Sequence, residues 1–231
     1  MSIAEKMQTV AENQQKVYDA GYAAGQSAGG DTDEAYQAGV HSVFENMTLV
    51  NYMFYKDHNQ NNYETFLNSD LSNVTTAQYL FQENNWIVEF AWPNTLRPNL
   101  IHYLFQGCQT VKKVSGLEKI QVNVLTGVFD GCVSLENAGT IDFTKVSFAN
   151  RTFLNCTALK EFRIVGTIGL SVDFQYSPLS KASIESIMDA LSDTTTGTSV
   201  TFSKIAVNVA FTTDEWNALV ATKPNWTVTL V

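Results

Sequence analysis

Hydrophobic or small residues recur at Ile3, Met7, Val10, Gln14, Val17, Gly21, Ala24 and Ala28 in alternating steps of four and three, the seam by which helices wind around one another. Ser2 with Glu5 makes a capping box at its start, and Gly29-Gly30 stops it. The pattern predicts one helix of about 27 residues, roughly 40 Å long. Such a helix is marginal alone in water. Its seam asks for a partner, and another copy of the chain is the economical source of one: a parallel homo-oligomer, a trimer in preference to a dimer, with Gln14 setting the register. The alternative is a surface helix whose stripe packs on its own domain. Asp31 and Glu34 form a second capping pair ahead of a short helix over Ala35 to Asn46, and Thr48 to Asn73, rich in Asn, Gln, Tyr and Phe, shows no clean period. That stretch reads as a connector folded onto the segment after it, in preference to an exposed aromatic and amide surface for sugars.

The strongest pattern is internal. Phe81, Phe105, Phe129 and Phe153 are spaced by 24 residues, and three positions beyond them stand Asn84, Cys108, Cys132 and Cys156. Apolar residues hold further columns, such as Ile87, Val111, Leu135 and Leu159. A fixed period in the twenties predicts a solenoid, each turn stacking its apolar side on the next. The expected fold is thus an N-terminal helical coiled-coil stem followed by a leucine-rich-repeat β-solenoid of about 24-residue repeats, with the four phenylalanines as an interior pillar. Cys108, Cys132 and Cys156 are expected as a buried, reduced ladder satisfying backbone groups. A straight ladder does not supply the tetrahedral convergence of a metal site.

Beyond the repeat, Pro178-Leu179-Ser180 opens a helix with Ile184, Ile187, Met188 and Leu191 on one side. Val200 to Phe202 reads as a strand, Thr212 with Glu215 as a capping box, and Trp226, Val228 and Leu230 as a closing strand. These form the expected α/β C-terminal cap. The division predicted is 1–30 stem, 31–75 short helix and connector, 76–178 solenoid and 179–231 cap.

Charge narrows the partners. Of 231 residues, 14 are basic and 23 acidic, a net charge of −9, and no basic cluster offers counter-ions for a phosphate backbone. Nucleic acid and anionic membranes are poor partners on that count. With no run of eighteen apolar residues and no basic stub ahead of an apolar block at the N-terminus, a protein made without a signal peptide and not inserted in a membrane is expected. Three cysteines, an odd number, do not describe a disulfide framework. His41, His58 and His102 lie far apart, and the acidic pairs Asp31/Asp33 and Asp214/Glu215 stand at helix starts where capping explains them. Asp130 and Glu136 are expected to point outward from a repeat. No catalytic, cofactor-binding or metal-binding residue is assigned.

The blocks Phe-Asp-Gly-Cys at Phe129 to Cys132 and Phe-Leu-Asn-Cys-Thr-Ala-Leu-Lys at Phe153 to Lys160 resemble BspA-type leucine-rich repeats. The run Ile3 to Gly21 and the stretches Leu179 to Leu191 and Phe211 to Val231 are similar to proteins encoded among the tail genes of phages and prophages of Gram-positive gut bacteria. The resemblance implies a virion protein of the phage tail, a tail fibre or baseplate component. It would attach to other tail proteins through its stem and meet a host cell-surface glycan or protein with its head. A bacterial cell-surface adhesin on the same repeats is the alternative, and a fibre-borne glycan hydrolase a second one. The residues that would touch a host are not identified by the sequence.

Overall fold

Short runs such as Glu89-Phe90-Ala91 and Lys113-Val114-Ser115 alternate an exposed, a buried and a less buried side chain, the period of a strand with one face on a core. The computed structural model describes residues 42–55 and 63–231, together with residues 5, 8, 9, 12, 13, 15–17, 19, 20, 23 and 40 before them. Strands β1 (Glu89–Ala91), β2 (Lys113–Ser115), β3 (Asn137–Asp142) and β4 (Glu161–Val165) form a parallel sheet in that order. Paired residues stand 24 apart, as in Phe90 with Val114 and Asn137 with Glu161, until a bulge between Asn137 and Thr140 shifts the register. Helix α1 (Tyr63–Asn68) precedes this sheet. A second parallel sheet holds β5 (Val172–Phe174), β6 (Thr198–Phe202) and β7 (Trp226–Leu230), with partners 28 apart, as in Val172 with Val200 and Val200 with Val228. Helix α2 (Lys181–Ala190) joins β5 to β6, and α3 (Lys204–Ala210) and α4 (Thr213–Ala221) join β6 to β7.

This architecture corrects the expected one. A coiled-coil stem leading into one leucine-rich-repeat β-solenoid with an α/β cap would carry a single ladder along the chain. The protein is instead an α/β fold with two separate short parallel sheets, and no long stem helix is evident among the described residues. The first sheet ends for a visible reason. One more period beyond Glu161 falls inside α2, whose Ile184, Ile187 and Met188 are buried at helical spacing, so a strand is not what that sequence forms. Ser180 caps α2 by accepting from the Ser183 N–H. The hydroxyls of Ser183 and Ser186 then accept from the backbone N–H of Phe162 (3.0 Å) and Ile164 (3.3 Å), closing the edge that β4 would otherwise leave bare.

The stem is corrected at the residues that can be seen. Val17, placed on a seam between copies, is 3% exposed and belongs to the chain's own hydrophobic core, with Asn13 also buried. A thin apolar stripe that finds a surface on its own chain loses no translational freedom by burying there. Ile3, Met7, Val10 and Gln14 lie outside the described residues, as do Asp31, Asp33, His41 and His58. In the connector, Tyr52, Met53, Phe54, Tyr55, Tyr63 and Phe66 are buried, so this stretch packs.

Helix α4 shows how a local signal acts. Thr212 Oγ1 accepts from the Glu215 N–H, and the Glu215 carboxylate accepts from the Thr212 N–H at 2.8 Å, the reciprocal cap. Lys181 Nζ donates to Glu215 Oε1 at 2.9 Å and lies 4.8 Å from the centre of the Phe211 ring. The Lys181 contact first, and the Thr212 N–H and hydroxyl after it, hold the Glu215 carboxyl below the usual glutamate range, at about 2. A depressed carboxyl contributes stability above its unfolded value and loses it as pH falls through the folded one. Wild-type protein and Glu215→Gln are therefore expected to differ in Tm at neutral pH and to converge between about pH 4.5 and pH 2. Melting curves that stay parallel across that range would show that Glu215 plays no such part.

Candidate binding cleft

Each pass through the first sheet also makes a tight turn on a second face, at 77–83, 101–107, 125–131 and 149–155. Alternate N–H groups there donate to the carbonyls of the next pass: Phe81 to Leu104, Phe105 to Val128 and Phe129 to Thr152, each at 2.9 Å. Tyr79, Tyr103, Gly127 and Arg151 occupy one column with φ of 57°, 55°, 62° and 60°, so the turn reverses in the left-handed region at each pass. Tyr52, Tyr79 and Tyr103 stack face to face at 4.5 and 5.0 Å. Gly127 continues the column without a side chain, because a Cβ there would stand 2.3 Å from Tyr103 Cδ1.

Inside the turns lies a column of rings. Phe81, Phe105, Phe129 and Phe153 stack at 5.3, 5.8 and 5.7 Å with nearly parallel planes. Phe54 precedes them at 5.5 Å, and Phe174 and Phe202 follow at 5.1 and 6.1 Å. Equal spacing does not reveal these three: Phe54 stands 27 positions before Phe81, and Phe174 only 21 after Phe153. The thiols lie beside the rings. Cys108, Cys132 and Cys156 donate Sγ–H to the carbonyls of Phe81, Phe105 and Phe129 at 2.9, 3.0 and 3.1 Å, and Asn84 Nδ2 donates to Phe54 in the same way. Burial pushes the Cys108 thiol up to about 12 and raises those of Cys132 and Cys156 as well, so all three stay protonated and poorly nucleophilic.

The turn ladder stops after 149–155. Ala149, Arg151, Phe153 and Asn155 occupy the positions of Leu125, Gly127, Phe129 and Gly131, all four of which donate to the following pass, yet no backbone hydrogen bond runs from them to β5. The shorter return from Phe153 to Phe174 brings the rings together at 5.1 Å but tilts them by 28°. The interior is sealed while the outside of the seam opens. There a cleft of about 380 Å³ is lined by Asn150, Arg151, Thr152, Asp173, Tyr176 and Thr201, with Phe143, Phe153 and Val172 among its apolar lining.

The charges of this cleft are arranged from below. Arg151 donates Nε and Nη2 to Asp130 Oδ2 at 3.0 and 2.7 Å, and the Asp130 side chain is only 5% exposed. Gln106 Nε2 donates to the same carboxylate at 3.3 Å, and Gln106 Oε1 accepts from Gln82 Nε2 at 2.6 Å. Asp130 is therefore an inward anchor for Arg151, which corrects its expected outward orientation. Glu136 is exposed. Asp173 is exposed and accepts from the Gln175 backbone N–H (2.8 Å) and Nε2 (3.0 Å), while Tyr176 is 50% exposed. Sequence reasoning does not find Arg151, Asp173 or Tyr176. They converge because of the missing ladder, and no motif marks them.

Elsewhere, burial lowers the His102 imidazole below the usual histidine range, leaving it neutral at pH 7. Among the described residues no three His, Cys, Asp or Glu side chains group where a metal ion could sit, and no helix is long and apolar enough to cross a membrane. No family model, curated protein or solved structure matches this chain.

Proposed function

We propose that this chain is a non-catalytic recognition protein that presents the cleft between its two sheets to a host cell surface, in the setting implied by the sequence resemblance, the tail of a phage. The observation that carries the reading is the break in the turn ladder. Among the described residues it leaves the N–H groups of Arg151 and Phe153 without backbone acceptors, beside an exposed ring, Tyr176, and an exposed carboxylate, Asp173. A concave site with a few convergent polar groups and some apolar lining is how proteins hold small ligands. Cleavage of a glycan usually requires two carboxyl groups flanking the bond, and Asp173 is the one carboxylate among the described residues that line the cleft. That favours binding over turnover.

The full chain, labelled and titrated onto intact host cells, tests this. Tyr176→Ala and Asp173→Ala are expected to weaken binding by about tenfold or more, as residues central to a contact do, whereas Glu136→Gln, exposed and outside the cleft, is expected to leave it unchanged. Equal binding by all four proteins would remove the cleft from the host contact.

A further inference from the structure

Resting on the reading of this cleft as the recognition site, we infer that its ligand is a neutral saccharide unit, bound through adjacent hydroxyls and one apolar ring face, and not an acidic sugar or a phosphate polymer. Charge is the first reason. Arg151 is the one cation among the described residues that line the cleft, and its guanidinium is held at 2.7 Å by Asp130. Asp173 has no ion-pair partner among the described residues, so the cleft keeps a net negative charge in a chain whose own sum is −9. An anion entering it meets repulsion with no unpaired cation in that lining to offset it.

Hydrogen-bonding capacity is the second reason. One wall supplies donors, the N–H groups of Arg151 and Phe153, set two residues apart on one face. Asp173, in the same lining, supplies acceptors: its two oxygens offer about four lone-pair positions, of which Gln175 occupies two. A pair of neighbouring hydroxyls answers both, accepting from an N–H and donating to a carboxylate. A fully ionised phosphate or carboxylate accepts only and has nothing to give Asp173.

The third reason is the ring. In the stack of Tyr52, Tyr79 and Tyr103 the middle ring is covered on both faces, the Tyr103 ring lies against Gly127, and Tyr52 is buried. Tyr176 stands apart from that stack, half exposed in the cleft wall, where its face can take the C–H side of a sugar ring while hydroxyls reach the polar walls. The volume of about 380 Å³ lies near the small end of ligand sites, which suits one or two sugar units of a longer chain.

The test uses the full chain against immobilised neutral di- to tetrasaccharides of glucose, galactose, rhamnose and N-acetylglucosamine, beside uronate-containing, sialylated and glycerol-phosphate oligomers. At least one neutral probe is expected to bind, little affected by raising salt, because no ion pair is formed for salt to screen. Tyr176→Ala and Asp173→Asn are expected to weaken it by about tenfold. For an anionic ligand Asp173→Asn acts in the opposite sense, removing repulsion and tightening binding. An acidic or phosphate probe preferred by the wild type and bound more tightly by Asp173→Asn would overturn the neutral-sugar assignment while leaving the cleft as the recognition site. So would silence on every glycan probe from a protein whose host-cell binding is still lost in the cleft variants. Host-cell binding that survives Tyr176→Ala and Asp173→Asn would instead remove the cleft itself.

Discussion

Replacing Phe129 by alanine is expected to cost about 3–5 kcal/mol of folding stability, the range for deleting a buried aromatic ring whose site cannot collapse. The ring is fully buried and sits between Phe105 at 5.8 Å and Phe153 at 5.7 Å. The walls cannot close over the gap, because the backbone on both sides is tied. The Phe129 N–H donates to Thr152 at 2.9 Å, and its carbonyl accepts from Cys156 Sγ at 3.1 Å. Chemical denaturation of the variant checks this, with Phe148→Ala as the comparison. Phe148 is 58% exposed, so its loss is expected to change stability by no more than about 0.5 kcal/mol, as surface changes usually do. A Phe129→Ala loss as small as that would mean the rings do not form one continuous core.

Gly139→Ala is expected to be nearly as damaging for an unrelated reason. Gly139 has φ +66°, and a Cβ there would lie 2.7 Å from the Val114 carbonyl oxygen and 3.3 Å from Ser115 Cα. Both obstacles are backbone of β2, so no side chain can swing aside, and relief requires parting β2 from β3 next to the bulge. Left-handed strain costs about 1–2 kcal/mol and overpacking about 1–3 kcal/mol, a total of roughly 2–5 kcal/mol. Gly197 separates the two contributions: it has φ +73°, but a methyl group added there would meet nothing within 4 Å, so Gly197→Ala is expected to show the strain alone. Thermal melts of both variants give the difference. Equal losses would mean that β2 yields freely at Gly139.

How far the chain can be read varies with the range of the interaction involved. Ser180 and the Thr212–Glu215 pair act within one helical turn, and the helices begin beside them, because a cap needs no more than its own neighbours. The 24-residue spacing specifies which rings are near one another wherever successive passes have equal length. It says nothing of where that equality ends. Phe174 escapes the pattern because the return from Phe153 is three residues short, and the region one period beyond Glu161 escapes it because Ile184, Ile187 and Met188 repeat as a helix. The seam between copies fails at Val17 because a stripe of apolar residues specifies that something must cover it without specifying what. The cleft residues are not legible at all: Arg151 comes from one pass and Asp173 and Tyr176 from the next, and no motif marks any of them.

Local boundaries, the acidic balance of −9 and the periodic supply of aromatic rings are properties of the chain before it folds. The division into two parallel sheets, the burial of Val17 within its own chain and the open seam beside Arg151 arise only when distant segments meet. They depend on how unequal lengths of chain return to the same core, and a difference of three residues in one return suffices to break a row of backbone hydrogen bonds that every local signal would have continued.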